Sequence, residues 1–387
     1  MKGAASKGKA RILIAMIAVG NGHKAPAEAL RAGIEKLYPG TFDIDVPDFS
    51  MATGDLAFDK RHKASWDWML AHPRWTYLGQ RLLDTLIPVK LTHAFKEKSL
   101  QEHAEHAASY VKEQGYDLLV ATHFYAIQAL AMARQKHDLE IPLVGVLTDP
   151  FDGNALWAEP RLDEMIVASE TAKKNLSKRG IAPEKLTVMG YPLGLQFTEL
   201  ALTKAEARAK LGLPQDKLVI LQSAGGEGIG GQLGRFVRAV LAADLELVYT
   251  VICGRNEALF SELGSLSNAN GKTQLHPQGF VSNMHEYLVA SDLVLGKAGA
   301  ATTLEALAVG RPIFHTSYAS HNEKTNVTFC EEKGVGHLVD DPKDLVSLLT
   351  TYLENPTELS ALTNRVKALK LEPGTLAIAK HLVETYL

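Results

Sequence analysis

Two histidines and an aspartate stand where apolar runs end. His23 closes the loop Val19-Gly20-Asn21-Gly22-His23 after the run from Arg11 to Ala18, His123 follows the run 117–122, and Asp149 follows 142–147. Imidazole titrates near neutrality, so His23 has the range for a general base, and Asp149 can orient it or act as the base itself. Three titratable groups at the ends of such runs make a better site signal than any one alone. A second set lies in 292–326. The small-residue loop Ala298-Gly299-Ala300-Ala301 opens onto a helix that Thr302 or Thr303 can cap, with Glu305 in its first turn and His321-Asn322-Glu323 further on. Backbone N–H groups at a helix start suit a phosphate, and a nearby carboxylate suits a ribose diol. Together they ask for a nucleotide.

These groups need a scaffold that brings strand ends to one edge. Short apolar runs, each followed by a loop and then helix-spaced apolar residues, read as β-α units of a parallel sheet, which binds ligands beyond the carboxyl ends of its strands. After the first unit, 24–37 is helical. Runs at 117–122, 142–147, 165–168 and 186–189 supply further strands, and Gly190-Tyr191-Pro192-Leu193-Gly194 reads as a boundary. The second half restarts with the strand 218–222 and a glycine-rich loop containing Gly225, Gly226, Gly228 and Gly231. Gly226, Gly228 and Gly231 meet the G-x-G-x-x-G spacing, but no lysine follows as in a P-loop. A nicotinamide dehydrogenase would place an acid after the next strand, where Gly254-Arg255 stands instead. Strand 247–253, helix 284–290, the 292–326 unit and closing helices complete the pattern. Domains are expected at 1–194 and 195–387, with the last helix able to cross back to the first.

The segment 47–95 breaks this alternation. It holds Phe58, Trp66, Trp68 and Trp75 among Lys60, Arg61, Lys63, Arg74, Arg81 and Lys90, and Trp75, Leu78, Leu82 and Leu86 fall on one helical stripe. Tryptophan beside basic residues suits an interfacial helix drawn to anionic lipid. Trp66, Trp68, Arg74 and Trp75, together with His123 at its own strand end, are the expected acceptor and membrane contacts.

A length of 387 residues favours two domains. A net charge of −3 offers no excess for nucleic acid, and two cysteines, Cys253 and Cys330, exclude a disulfide framework or thiolate metal site. The apolar run ending at Val19 is too short to span a membrane. Asp340-Asp341 reads as a helix cap, so no metal is expected. A cytoplasmic protein with peripheral membrane contact fits these totals.

With these residues laid out, the chain resembles the monogalactosyldiacylglycerol synthase and processive diacylglycerol glucosyltransferase family. It is more distantly similar to the N-acetylglucosaminyl transferase of peptidoglycan lipid intermediates. The resemblance runs through VGNGH, FDK…WDWMLAHPRW, DLLVATHF, VLTDP…W…EP, MGYPL, GGEG, VICGRN, GFVSNM, KAGAATTLEAL and NEKTN. It implies a GT-B fold, α/β, with two Rossmann-like doubly wound domains facing across a cleft, and an inverting, metal-independent transfer from a UDP-sugar. On matching positions it places Gly225, Gly226, Gly228 and the loop of Gly299 and Ala300 by the diphosphate, Phe280 and Val281 at the uracil, Glu305 at the ribose, Asn322 and Glu323 at the sugar, and His23 as base. The chain departs from the family where His321-Asn322-Glu323 replaces Gly-Gln-Glu, where Asn154-Ala155-Leu156 replaces a His-Pro pair before Trp157, and where Gly-Asn-Gly-His replaces three glycines and a histidine.

The expected activity is hexose transfer from UDP-galactose or UDP-glucose to a lipid hydroxyl, that of diacylglycerol, at an anionic membrane surface. A soluble UDP-sugar enzyme of the same fold, such as an epimerase, is the alternative. A donor-binding subunit without catalysis is a further one, which the His23, His123 and Asp149 set disfavours.

Overall fold

The computed structural model describes residues 8–19, 21–86, 89–199, 201–225, 233–266 and 271–387. The side chains of Arg74, Arg81 and Leu86 also fall outside the description. The chain forms two compact units. The first comprises Met1–Leu195, Ser320–Asn322 and Pro373–Leu387, and the second Gln196–Ala319 and Glu323–Glu372.

In the first unit the strands are β1 (Arg11–Ala15), β2 (Asp43–Asp45), β3 (Leu118–Ala121), β4 (Leu143–Val146), β5 (Glu164–Val167) and β6 (Leu186–Val188). They pair in parallel in the order β2-β1-β3-β4-β5-β6. β1, β3 and β4 are almost wholly apolar because helices cover both faces of the sheet. The helices are α1 (Asn21–Leu37), α2 (Phe49–Ala52), α3 (Leu56–Ala71), α4 (Pro73–Leu86), α5 (Val89–Gln114), α6 (Phe124–His137) and α7 (Glu170–Lys178). α2 to α5 form the long helical excursion between β2 and β3. Asp55 starts α3 by accepting the Phe58 N–H at 2.9 Å.

In the second unit α8 (Leu195–Thr198) and α9 (Lys204–Leu211) precede β7 (Leu218–Ser223). Then come α10 (Leu233–Ala243), β8 (Leu247–Ile252), α11 (Glu257–Ser265), β9 (Gln274–Gln278), α12 (Met284–Ala290), β10 (Leu293–Lys297), α13 (Ala300–Ala308), β11 (Ile313–Ser317), α14 (His321–Lys333), α15 (Pro342–Glu354) and α16 (Pro356–Ala368). The parallel order is β11-β10-β7-β8-β9, which reverses at β7 as in a doubly wound sheet. Asp341 caps α15 by accepting the Lys343 N–H at 2.9 Å.

The last helix, α17 (Thr375–Tyr386), belongs to the first unit. Its Ile378, Ala379, Leu382 and Val383 join Ile12, Ile14, Leu30 and Val120 in one buried cluster. Two glycines make the approach possible. A Cβ on Gly33 of α1 would lie 3.1 Å from Thr375, and one on Gly374 would lie 2.3 Å from the Met189 carbonyl.

Candidate active site

In an open α/β sheet the ligand crevice opens where strand order reverses. In the first sheet that point lies between β1 and β3, and the segments leaving them carry His23 and His123. His23 was expected in the glycine loop; it is instead the third residue of α1, because the helix already starts at Asn21. The loop's Gly20 lies outside the described residues.

The His23 ring is buried, with 9% of the residue exposed. Its Nδ1 lies 2.8 Å from the Thr122 carbonyl and 2.9 Å from the Thr148 hydroxyl. A carbonyl only accepts, so Nδ1 carries the proton and Nε2 keeps the lone pair. The Thr122 hydroxyl donates back to the His23 carbonyl at 2.9 Å. Burial lowers the imidazole pKa to about 4, so His23 is neutral at pH 7 with Nε2 ready to take a proton.

Aromatic rings wall this histidine. Trp157 lies 6.0 Å from it between centroids and His123 4.4 Å, while Phe124 packs on Trp157 at 5.6 Å. His123 was expected to contact the acceptor or the membrane. It is fully buried, accepts the Tyr125 N–H at 3.1 Å through Nδ1 and so caps α6. It supports His23 from behind and presents no surface. His62, also buried, meets His123 edge-on at 5.3 Å. Burial holds both rings neutral.

Thr122 and Thr148 hold the His23 ring, and Asp149 stands beside them with other partners. Its Oδ2 accepts the Trp157 indole N–H at 2.7 Å and the Asn322 amide at 2.9 Å. The carboxylate therefore fixes the tryptophan that packs against the base. Thr148 precedes Asp149 at the same strand end and was not singled out in the sequence, although that position could have marked it. Thr122 acts through its backbone, and no residue-type signal could have found it.

The second sheet reverses between β7 and β10. β7 leads to Gly225, at φ +77°, whose N–H donates to the Ser223 hydroxyl at 3.1 Å. Gly226 and Gly228 lie outside the described residues. β10 leads to Gly299, which is the N-cap of α13, with Ala300 its first residue. Neither Thr302 nor Thr303 caps this helix. The Thr303 hydroxyl instead donates to the Gly299 carbonyl at 2.8 Å and meets His315 Nε2 at 3.0 Å, holding the turn from below. The early start leaves the first amides of α13 beside a loop without bulky side chains.

Glu305 consequently stands in the second turn of α13. It keeps part of its surface accessible yet sits deep enough that burial raises its carboxyl pKa to about 7. Phe280 is exposed after β9, beside Val281, and the Arg255 guanidinium lies 4.6 Å from its ring centroid. In the sequence Arg255 marks only the absence of an acid after the strand. Glu323 pairs with Lys297 at 2.6 Å and accepts the Ala319 N–H at 2.6 Å.

Trp68, Trp75, Leu78 and Leu82 are exposed on α3 and α4, and Leu91 and Phe95 on α5. Trp66 departs from the expected membrane set, since it packs partly buried against the core of the first unit. No helix among the described residues is long and apolar enough to cross a membrane.

Two family models match the chain: "Monogalactosyldiacylglycerol (MGDG) synthase" over residues 23–193, and "Glycosyltransferase family 28 C-terminal domain" over 233–372. The chain thus joins a monogalactosyldiacylglycerol synthase domain to a family 28 glycosyltransferase C-terminal domain, and it is similar to monogalactosyldiacylglycerol synthases and processive diacylglycerol glucosyltransferases. A relative from Bacillus pumilus, a processive diacylglycerol beta-glucosyltransferase, is 30% identical over 65% of this chain and 64% of its own length. The chloroplastic monogalactosyldiacylglycerol synthase of Spinacia oleracea is 27% identical over 88% of this chain and 66% of its own. The chain thus spans just under two thirds of these relatives. Among solved structures, MurG of Acinetobacter baumannii superposes with a TM-score of 0.65 at 13% identity, covering 97% of this chain and 100% of that one. The glycotransferase of kitacinnamycin gives 0.62 at 14%, covering 98% and 99%. The fold is GT-B.

Proposed function

We propose that this protein is an inverting glycosyltransferase that moves galactose or glucose from a UDP-sugar to the hydroxyl of diacylglycerol, without a metal, as a peripheral enzyme on an anionic membrane. The observation that carries the reading is the tautomer of His23. Nδ1–H donates a hydrogen bond to the Thr122 carbonyl, which leaves Nε2 as the base beside the apolar wall of Phe124 and Trp157. In the reaction the acceptor hydroxyl loses its proton to Nε2 as its oxygen bonds the anomeric carbon. The bond from that carbon to the UDP oxygen breaks on the opposite face, which inverts the centre.

The departing diphosphate gathers negative charge. Amides at Gly225 and at the start of α13 are suited to stabilise it as preorganised dipoles. Glu305 takes the ribose diol, and Glu323 with Asn322 takes the sugar hydroxyls. Asparagine is one methylene shorter than the family's glutamine, which bears on the choice between galactose and glucose. The exposed Trp68, Trp75, Leu78 and Leu82 supply apolar contact with the bilayer.

The test is a donor panel of UDP-galactose and UDP-glucose against diacylglycerol in anionic vesicles, reading UDP release and glycolipid together. The expected result is stoichiometric UDP and glycolipid, with His23→Ala losing turnover by roughly a hundredfold or more while retaining UDP affinity. UDP-sugar consumed without a lipid product, or a His23→Ala variant with full turnover, would overturn the proposal.

A further inference from the structure

Lys96 is a charged side chain that the reaction does not use and that the fold buries. It lies on α5, only 4% exposed, and its Nζ donates to the carbonyls of Ala155 at 3.0 Å and Ala158 at 3.2 Å. An ammonium removed from water is costly, and a methionine would fill the same space without that cost. Burial accordingly lowers the Lys96 pKa to about 8, against the pull of Glu159.

The two carbonyls bracket Trp157 in the loop between β4 and β5. Trp157 packs on His23 and donates its indole N–H to Asp149. The same loop is held at Leu156 by the Gln128 amide. Further on, Arg161 grips the fully buried Glu159 through two 2.7 Å bonds and reaches Glu97 of α5 at 2.9 Å. Two consecutive α5 residues, 96 and 97, thus hold the stretch that sets Trp157. On the same helix Leu91 and Phe95 face outward.

We propose that Lys96 is a positioning residue for the reaction: from α5 its ammonium ties down the Ala155–Ala158 turn and so sets Trp157 and Asp149 against the base His23. The inference rests on the glycosyl transfer proposed above. A backbone tether of this kind acts on the placement of the acceptor hydroxyl. It touches none of Gly225, Phe280, Gly299 and Glu305, the residues assigned to the UDP part of the donor, all of which belong to the second unit. Loss of the tether therefore lowers kcat and spares the KM for the UDP-sugar.

The experiment compares Lys96→Met and Lys96→Gln with the parent. Melting temperature, kcat and donor KM are read in the full chain. Trp157 emission is read in a chain carrying Trp66→Phe, Trp68→Phe and Trp75→Phe, in which Trp157 is the sole tryptophan. The expected result for Lys96→Met is a folded protein with kcat lower by roughly tenfold to a hundredfold, a donor KM within about twofold, and red-shifted Trp157 emission. Lys96→Gln keeps an N–H donor and recovers part of both; should Lys96→Met fail to fold, it carries the comparison by the same criteria. Unshifted emission, or shifted emission with undiminished kcat, would overturn the proposal. A parent without glycosyl transfer would instead overturn the assigned reaction, and the emission comparison would still test the tether.

Discussion

Glu305 carries a proton problem that a ribose-binding carboxylate has to solve. Its pKa is raised to about 7 by burial, and no described residue hydrogen-bonds or ion-pairs with its side chain. A diol donates to the ionised form, so binding below pH 7 expels the carboxyl proton, and above pH 7 there is none to expel. UDP-glucose affinity is therefore expected to fall by about tenfold for each pH unit below 7 and to be flat above it. The diester phosphates of this ligand do not titrate in that range. Calorimetry in buffers of different ionisation enthalpy should find close to one proton released at pH 6, and Glu305→Gln should bind more weakly with no such release. Flat affinity from pH 5.5 to 8 in the parent would remove Glu305 from the ribose site. The residue types at His23 and Glu305 were legible because each stands by a strand end. What orients them was not. Thr122 contributes a carbonyl, which every residue has, and the pairing of His23 with Thr148 spans 125 positions.

A helix was legible where periodicity ran without glycine: α12 falls on the expected residues 284–290. Helix starts were less so. Asn21-Gly22 and Gly299-Ala300 look like loop, since glycine weakens a helix by about 1 kcal/mol, yet tertiary packing draws α1 and α13 back to them. That shift moves His23 into a helix and Glu305 into a second turn. α4 shows the opposite balance, because the described residues of its apolar stripe stay exposed. Trp75, Leu78 and Leu82 are 66%, 44% and 43% exposed. Replacing all three by serine should change stability little, about 0.5 kcal/mol per site, because they bury little on folding. Each side chain forgoes on the order of 1.5–3 kcal/mol of burial in a bilayer. Flotation with anionic vesicles should therefore fall by at least tenfold. Undiminished flotation would move the membrane surface away from α4.

At the scale of the whole molecule, the order of strands could not be read from sequence, because pairing joins segments far apart. β1 lies beside β3, whose residues are about a hundred positions away, and that neighbourhood places His23 next to Thr122. The return of the C-terminal segment completes the same unit. α17 buries Ile378, Leu382 and Val383 against the first sheet, and its His381 and Tyr386 meet Glu164 at 2.8 and 2.9 Å. Ending the chain after Glu372 would uncover that sheet face and leave Glu164 without those two partners. The lost burial of three aliphatic side chains is on the order of 5–9 kcal/mol, comparable with the 5–15 kcal/mol that holds a typical domain together. The first unit of the shortened chain should lose its cooperative melt and become open to proteolysis within 8–195. The core of the second unit is built from α10, α11, α15, α16 and its own sheet. It contains nothing from α17, so the second unit should retain UDP binding. A shortened chain that melts like the parent would show that α17 covers the sheet without stabilising it.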